Sequence, residues 1–205
     1  RSSPVGAASR AAPALCAADG SRLYTFGSGT LTVLDATDPD APAPLGTLGG
    51  LGTVSDLAVS GGRALLACGA AGLVVVDVSV PSAPVVAGSL MLPASVAAAD
   101  FAGAYLAAAG GGTFWLIDAT NPAAMAVAGQ TATIAAADLA VAGAYALVTG
   151  QAGIASISLA TPAAPVQVGL FRDDLGQFSE GGMYPEFGRI ALDGTSWAAL
   201  LAGWG

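Results

Sequence analysis

The chain has no histidine and no lysine, only two cysteines, and 10% charged residues. Each shortage removes a class of chemistry. Nucleophilic catalysis needs a base or nucleophile with an activating neighbour, so the absence of His excludes both Ser/His/Asp and Cys/His arrangements. The basic residues are six arginines against fourteen Asp and Glu, and the net charge of −8 disfavours nucleic acid, whose phosphates it repels. No basic patch offsets this. The glycine clusters Gly49-Gly50 and Gly110-Gly111-Gly112 do not precede helical segments, so they read as turns and not as phosphate cradles.

What the chain has instead is a recurring order of apolar runs, glycines and prolines. Within residues 57–90, LAVSGGRALLACGAAGLVVVDVSVPSAPVVAGSL, Gly61-Gly62 parts two apolar runs, Gly69 to Gly72 parts the second from a third, and Pro81 to Pro84 parts the third from a fourth. Four short strands joined by tight turns follow. Leu73 to Val76 is apolar without alternation and β-branched at three successive positions, as expected of a strand covered on both faces. Aligned on the hairpin glycine, Gly20, Gly62, Gly103 and Gly143 recur at steps of 42, 41 and 40, and fifteen places later stand Asp35, Asp77, Asp118 and Ser158. Pro39/Pro42, Pro81/Pro84, Pro122/Met125 and Pro162/Pro165 keep the same phase, as do Gly46, Gly88, Gly129 and Gly169. A period of about 40–45 residues with four strands in each unit predicts an all-β fold, a β-propeller of four-stranded blades. The blades run near 15–54, 55–96, 97–134 and 135–171.

The segments LVVVDVSVPSAPVVAG (73–88), LTVLDATDPDAPAPLG (31–46) and FWLIDATNPAAMAVAG (114–129) resemble the LVIVD-repeat β-propeller proteins over roughly residues 15–171. The resemblance implies a repeat protein of the exported or surface-associated kind, with no common catalytic set. The fourth copy, IASISLATPAAPVQVG (154–169), carries Ser158 where the motif has Asp, which argues against any role that needs this Asp in every blade.

The flanks depart from the period. Residues 1–14 are rich in Ser, Arg and Ala and precede the first acid, Asp19, which fits the remnant of a targeting segment. A second reading stands beside it, because Ser3 to Ser9 align with Ser82 to Ser89 and so fit a fourth strand that pairs with the last half blade. Residues 172–187 match nothing earlier and form an inter-blade insertion, while 188–205 resume as a first and second strand, a partial fifth blade. The uncharged stretches 101–117 and 139–171 have the length of membrane spans. Turn glycines cut both in the phase of the charged copy at 57–90, so strands are expected there and no transmembrane span.

Three groups of acids and one mixed cluster are candidate sites. Asp35, Asp77 and Asp118 close third strands, where an Asp accepts hydrogen bonds from the following backbone N–H groups. Asp56 and Asp138 open first strands and Asp100 lies within one; first strands line a propeller's channel, so a ligand or ion could meet these acids there, but that is the less favoured reading of them. Asp173, Asp174 and Glu186, with Glu180, fit glycoside chemistry or calcium, but the Asp-x-Asp-x-Asp-Gly order of a calcium loop is missing and a solvated loop is preferred. The same insertion holds Phe178, Met183 and Tyr184, and Asp173, Asp174, Phe178, Met183, Tyr184 and Glu186 together form the candidate partner-contact set. Cys16 in a first strand and Cys68 in the next blade's second strand are read as small core residues before a disulfide. Tyr24, Tyr105, Tyr145 and Trp197 recur near the start of second strands and are read as blade packing.

No catalytic residue, metal ligand or cofactor site is assigned. The expectation is a non-catalytic module for protein binding or scaffolding, extracytoplasmic or an accessory subunit of a larger assembly, with peripheral association with a membrane complex allowed. An organelle reached after removal of a transit peptide is the alternative compartment. The competing function is a carboxylate- or metal-dependent hydrolase with its site in the channel.

Overall fold

The computed structural model describes residues 15–172 and, beyond them, the strands Phe187–Asp193 and Ser196–Leu201. The first blade comprises β1 (Leu15–Asp19), β2 (Arg22–Gly27), β3 (Thr30–Asp35) and β4 (Ala43–Leu48), paired antiparallel in chain order. The second comprises β5 (Asp56–Ser60), β6 (Arg63–Ala67), β7 (Leu73–Asp77) and β8 (Val85–Leu90). In the third, β9 (Ala98–Ala102), β10 (Tyr105–Gly110), β11 (Thr113–Asp118) and β12 (Ala126–Ala132) pair likewise. The fourth repeats the pattern with β13 (Asp138–Ala142), β14 (Tyr145–Gly150), β15 (Gly153–Ser158) and β16 (Val166–Phe171). A two-stranded sheet, β17 (Phe187–Asp193) with β18 (Ser196–Leu201), is the half blade that follows. The fold is thus an all-β propeller arc, and residues 101–117 and 139–171 are strands and turns of blades three and four. Among the described residues the only helix is the 3-10 turn Pro122–Ala124, and no helix is long and apolar enough to cross a membrane.

First strands lie side by side, β1 on β5, β5 on β9, β9 on β13 and β13 on β17, which puts them on the inner side of the arc. Their hairpins need a left-handed residue at the first turn position, and Gly20, Gly61, Gly103 and Gly143 hold it at φ of 56–68°. In the second blade the equivalent residue is therefore Gly61 and not Gly62. The sequence alignment slips by one there because Cys68 to Gly72 makes a longer link between β6 and β7 than the tight pairs Ser28-Gly29, Gly111-Gly112 and Gln151-Ala152. Cys68 accordingly sits just past β6, in that link.

Third strands carry the cores between blades. Leu73 and Val75 point to the third blade, where they pack with Leu106, Ala108, Trp115 and Ile117. Val74 and Val76 point back to the first blade, against Leu31, Val33 and Tyr24. A matching layer of Phe114 and Leu116 meets Leu139, Ala146 and Val148 between blades three and four. Each such aliphatic or aromatic side chain removed from water contributes about 1.5–3 kcal/mol, so a strand buried on both sides needs no polar face. Ala107, Ala108 and Ala109 are fully buried in β10 and let the sheets approach closely.

Candidate functional site

The channel acids are engaged by backbone. Asp56 Oδ1 accepts from the N–H of Leu57 at 2.8 Å, and its Oδ2 reaches the next blade to accept from the N–H of Ala99 at 2.9 Å. Asp100 repeats the device one blade on, accepting from Phe101 at 2.7 Å and from Val141 of β13 at 2.8 Å. Asp138 Oδ1 accepts from Leu139 at 2.9 Å. The reason lies in the strand order: a first strand is a sheet edge, every second N–H of an antiparallel edge lacks a strand partner, and a buried N–H without an acceptor is costly. The carboxylate therefore caps an edge N–H of its own blade and, at Asp56 and Asp100, one of the following blade. This link between blades is invisible in sequence, because it depends on how sheets stack; its one trace is an acid in each of three successive first strands.

Burial pushes the Asp100 carboxyl above the usual carboxylate range, against the lowering effect of the Val141 and Phe101 N–H groups, and neighbouring Asp138 adds to the rise. Asp100→Asn keeps the shape but sets an amide donor against one of the two N–H groups. It should cost about 1–3 kcal/mol, read from the denaturant midpoint. A folded-state pKa raised above the unfolded value adds stability below the unfolded pKa that is lost as pH rises through the folded one. The parent gains this on acidification and the variant does not, so the variant's deficit in melting temperature should be larger near pH 4 (about the unfolded carboxylate pKa) than at neutral pH. An equal deficit at both would show that Asp100 is not the titrating group.

The third-strand acids have a local role. Asp35 Oδ1 accepts from the N–H and hydroxyl of Thr37 at 2.9 and 2.6 Å, Asp118 from those of Thr120 at 2.9 and 2.7 Å, and Asp77 from the N–H of Ser79 at 2.9 Å. Hydrogen bonds to Thr37, Ser79 and Thr120 hold the three carboxyls below the ordinary value, with Arg22 and Arg63 adding to the effect at Asp35 and Asp77. Ser158 does the same work more weakly, its hydroxyl accepting from Ala160 at 3.4 Å. The four residues shape the chain's exit from the third strand and do not form a ring of ligands.

That exit leads to the proline turn, which is half of the contact between blades. Asp38, Val80, Asn121 and Thr161 each accept at their carbonyl from the N–H three residues on, closing a β-turn with proline second. In blades two to four the turn is seated on the preceding blade's fourth strand. A Cβ added to Gly46 would stand 2.3 Å from the Pro81 carbonyl oxygen, one on Gly88 1.7 Å from that of Pro122, and one on Gly129 2.4 Å from that of Pro162. Each glycine follows a bulge, at Val33/Leu34, Val75/Val76, Leu116/Ile117 and Ser156/Ile157 of the partner strand, and the bulge tilts the outer strand to receive the turn. Glycine and proline recur together in the sequence because they meet across blades.

Two expectations from the sequence are corrected. Cys16 is exposed and Cys68 buried, and both are free thiols, so only Cys68 is a core residue; burial raises its pKa. The tyrosines are not one set. Tyr24 is third in β2, opposite Val33 and fully buried, whereas Tyr105 and Tyr145 are first in their strands, opposite Asp118 and Ser158. They occupy the place of Arg22 and Arg63, and Tyr145 is 50% exposed. Trp197 and the contact set Asp173, Asp174, Phe178, Met183, Tyr184 and Glu186 lie outside the described residues. Among the described residues no group of three or more Cys, Asp or Glu gathers in a way that could hold a metal ion.

Residues 51–91 match the LVIVD repeat family. No curated protein matches the chain. Among solved structures it is similar to a protein from Lactobacillus plantarum, with TM-score 0.67 and 16% identity over 82% of this chain and 57% of that one. It is similar also to the β-propeller domain of Myceliophteria thermophila Cps50, with TM-score 0.59 and 17% identity over 77% and 56%. A chain of the Mitotic Checkpoint Complex matches with TM-score 0.59 and 17% identity, over 76% of this chain and 50% of its own length. These likenesses give the propeller fold. The chain spans about half the length of each.

Proposed function

We propose that this chain is a non-catalytic protein-binding module, a rigid propeller arc that serves as a scaffold or accessory subunit in a larger, extracytoplasmic assembly. The observation that carries the reading is the use of the channel acids. A hydrolase would need one carboxylate to hold or move a proton and another to stabilise charge or bind an ion, yet both oxygens of Asp56 and of Asp100 accept backbone N–H bonds. The likeness to a chain crystallised within the Mitotic Checkpoint Complex supports a role in assembly, and the implied kinship with exported repeat proteins supports the compartment.

The test is the state of the protein in its source. Tagged in place, the chain should fractionate outside the cytoplasm and elute in a complex larger than its own mass of 19.6 kDa. Metal analysis of the purified complex runs beside it. Stoichiometric calcium or a transition metal, lost together with a hydrolytic activity on Asp56→Asn or Asp100→Asn, would overturn the reading in favour of the channel enzyme.

A further inference from the structure

Each blade has two faces, and the centre of each face is built from alternate residues of the second and third strands. In the layers between blades one and two, two and three, and three and four, these central side chains are aliphatic or aromatic throughout. Two faces differ. The face of blade four turned away from blade three presents Thr149, opposite Ile154, and Ser156, opposite Leu147. At the place of Thr149 the earlier blades have Phe26, Ala67 and Ala109, and at the place of Ser156 they have Val33, Val75 and Leu116. The face of blade one turned away from blade two departs in the same way, with Thr25 opposite Thr32 where the later blades pair Leu66 with Val74, Ala108 with Trp115 and Val148 with Ala155. Thr and Ser thus stand on both flanks of the four-blade block and at the centre of none of its inner layers.

The flank on blade four is a contact surface, because β17 lies against β13 and β14. Thr149 is fully buried there, and its hydroxyl donates to the Asp138 carbonyl at 3.5 Å. A hydroxyl holds a buried layer together less firmly than the methyl it replaces, since it gives up water and must remake its hydrogen bond, and Val and Thr are therefore not equivalent in a core. Inside the block the apolar layers are reinforced by the seated proline turns and, at Asp56 and Asp100, by carboxylates that reach the next blade. We propose that blades one to four move as one rigid block and that the seam between blade four and the half blade of β17 and β18 is a hinge at which the propeller opens. The hinge gives a stiff arc one movable part, and Thr149 and Ser156 set how readily it moves.

Native-state hydrogen exchange of the 205-residue chain tests this. The amides of β17 and β18 should exchange together, at least about tenfold faster than those of β6, β7, β10 and β11, through an opening that leaves the four blades protected. Thr149→Val with Ser156→Val gives the seam the composition of an inner layer and should slow exchange of β17 and β18 about tenfold, with the first three blades unchanged. Valine fits, since it occupies the place of Ser156 in blades one and two. Ser156→Val alone serves if the double variant lowers the melting temperature. Ser156→Thr has the shape of the valine variant but keeps the hydroxyl, and should leave β17 and β18 exchanging as in the parent. Exchange of β17 and β18 in step with the blades overturns the proposal. So does exchange that the valines leave unchanged, which is the result expected of simple fraying near a chain end. Equal slowing by Ser156→Thr and Ser156→Val overturns it as well, because filled volume and not the hydroxyl would then control the seam.

Discussion

Replacing Val75 by Asp should unfold or severely destabilise the protein, by about 4 kcal/mol or more, while Val80→Asp should change stability by less than about 0.5 kcal/mol. The two valines are chemically identical and five residues apart, so their environments alone decide. Val75 is 1% exposed, held in the middle of β7 by pairing with Leu65 and Gly88, and packed against Trp115 and Ile117 of the next blade. A carboxylate there has neither water nor a cation, and the cost of leaving it unpaired exceeds the loss of the valine itself. Val75→Ala separates the two parts, since it creates only a cavity and should cost about 2 kcal/mol. Val80 is 57% exposed at the start of the proline turn, where its carbonyl and not its side chain makes the turn's bond. Urea midpoints for the three variants check the prediction, and similar midpoints for Val75→Asp and Val80→Asp would refute the strand register.

Val75 also shows what the sequence could carry. A run of β-branched residues without alternation marks a strand covered on both faces, and the recurrence of that run at a fixed period implies stacked sheets; both are local or periodic signals. The same holds for Asp35, Asp77 and Asp118, whose partners are two residues away. Legibility ends where a contact joins one blade to the next. Asp56 and Asp100 were readable as first-strand acids, but the N–H groups of Ala99 and Val141 that they satisfy are about one repeat distant, and no pattern within a single repeat points to them. Gly61 was hidden differently, because the longer Cys68 to Gly72 link shifts the spacing by one residue without disturbing the fold. Tyr24, Tyr105 and Tyr145 were grouped on residue type, although a two-residue offset moves a strand side chain along the sheet from the core to the rim.

Gly88→Ala should cost about 3 kcal/mol or more, a large penalty for one methyl group, whereas Gly169→Ala should cost less than about 1 kcal/mol. The difference follows from what each methyl would meet. At Gly88 the added carbon would stand 1.7 Å from the Pro122 carbonyl oxygen and 2.5 Å from its carbon, both backbone atoms of a turn fixed by the Ala124 to Asn121 hydrogen bond and by buried Met125. No rotamer change relieves that overlap, so blade three's turn must lift from blade two and expose part of the layer between them. At Gly169 the methyl meets the Ser156 hydroxyl at 2.6 Å, the end of a side chain that can rotate away. Denaturant midpoints of the two variants against the parent decide the matter, and hydrogen exchange adds a local check: Gly88→Ala should loosen the amides of residues 121–125 before those of the first blade. Equal penalties at the two glycines would mean that the recurring glycine serves its own strand's bulge and not the docking of the next blade, and the pairing of glycine with proline across blades would lose its physical basis.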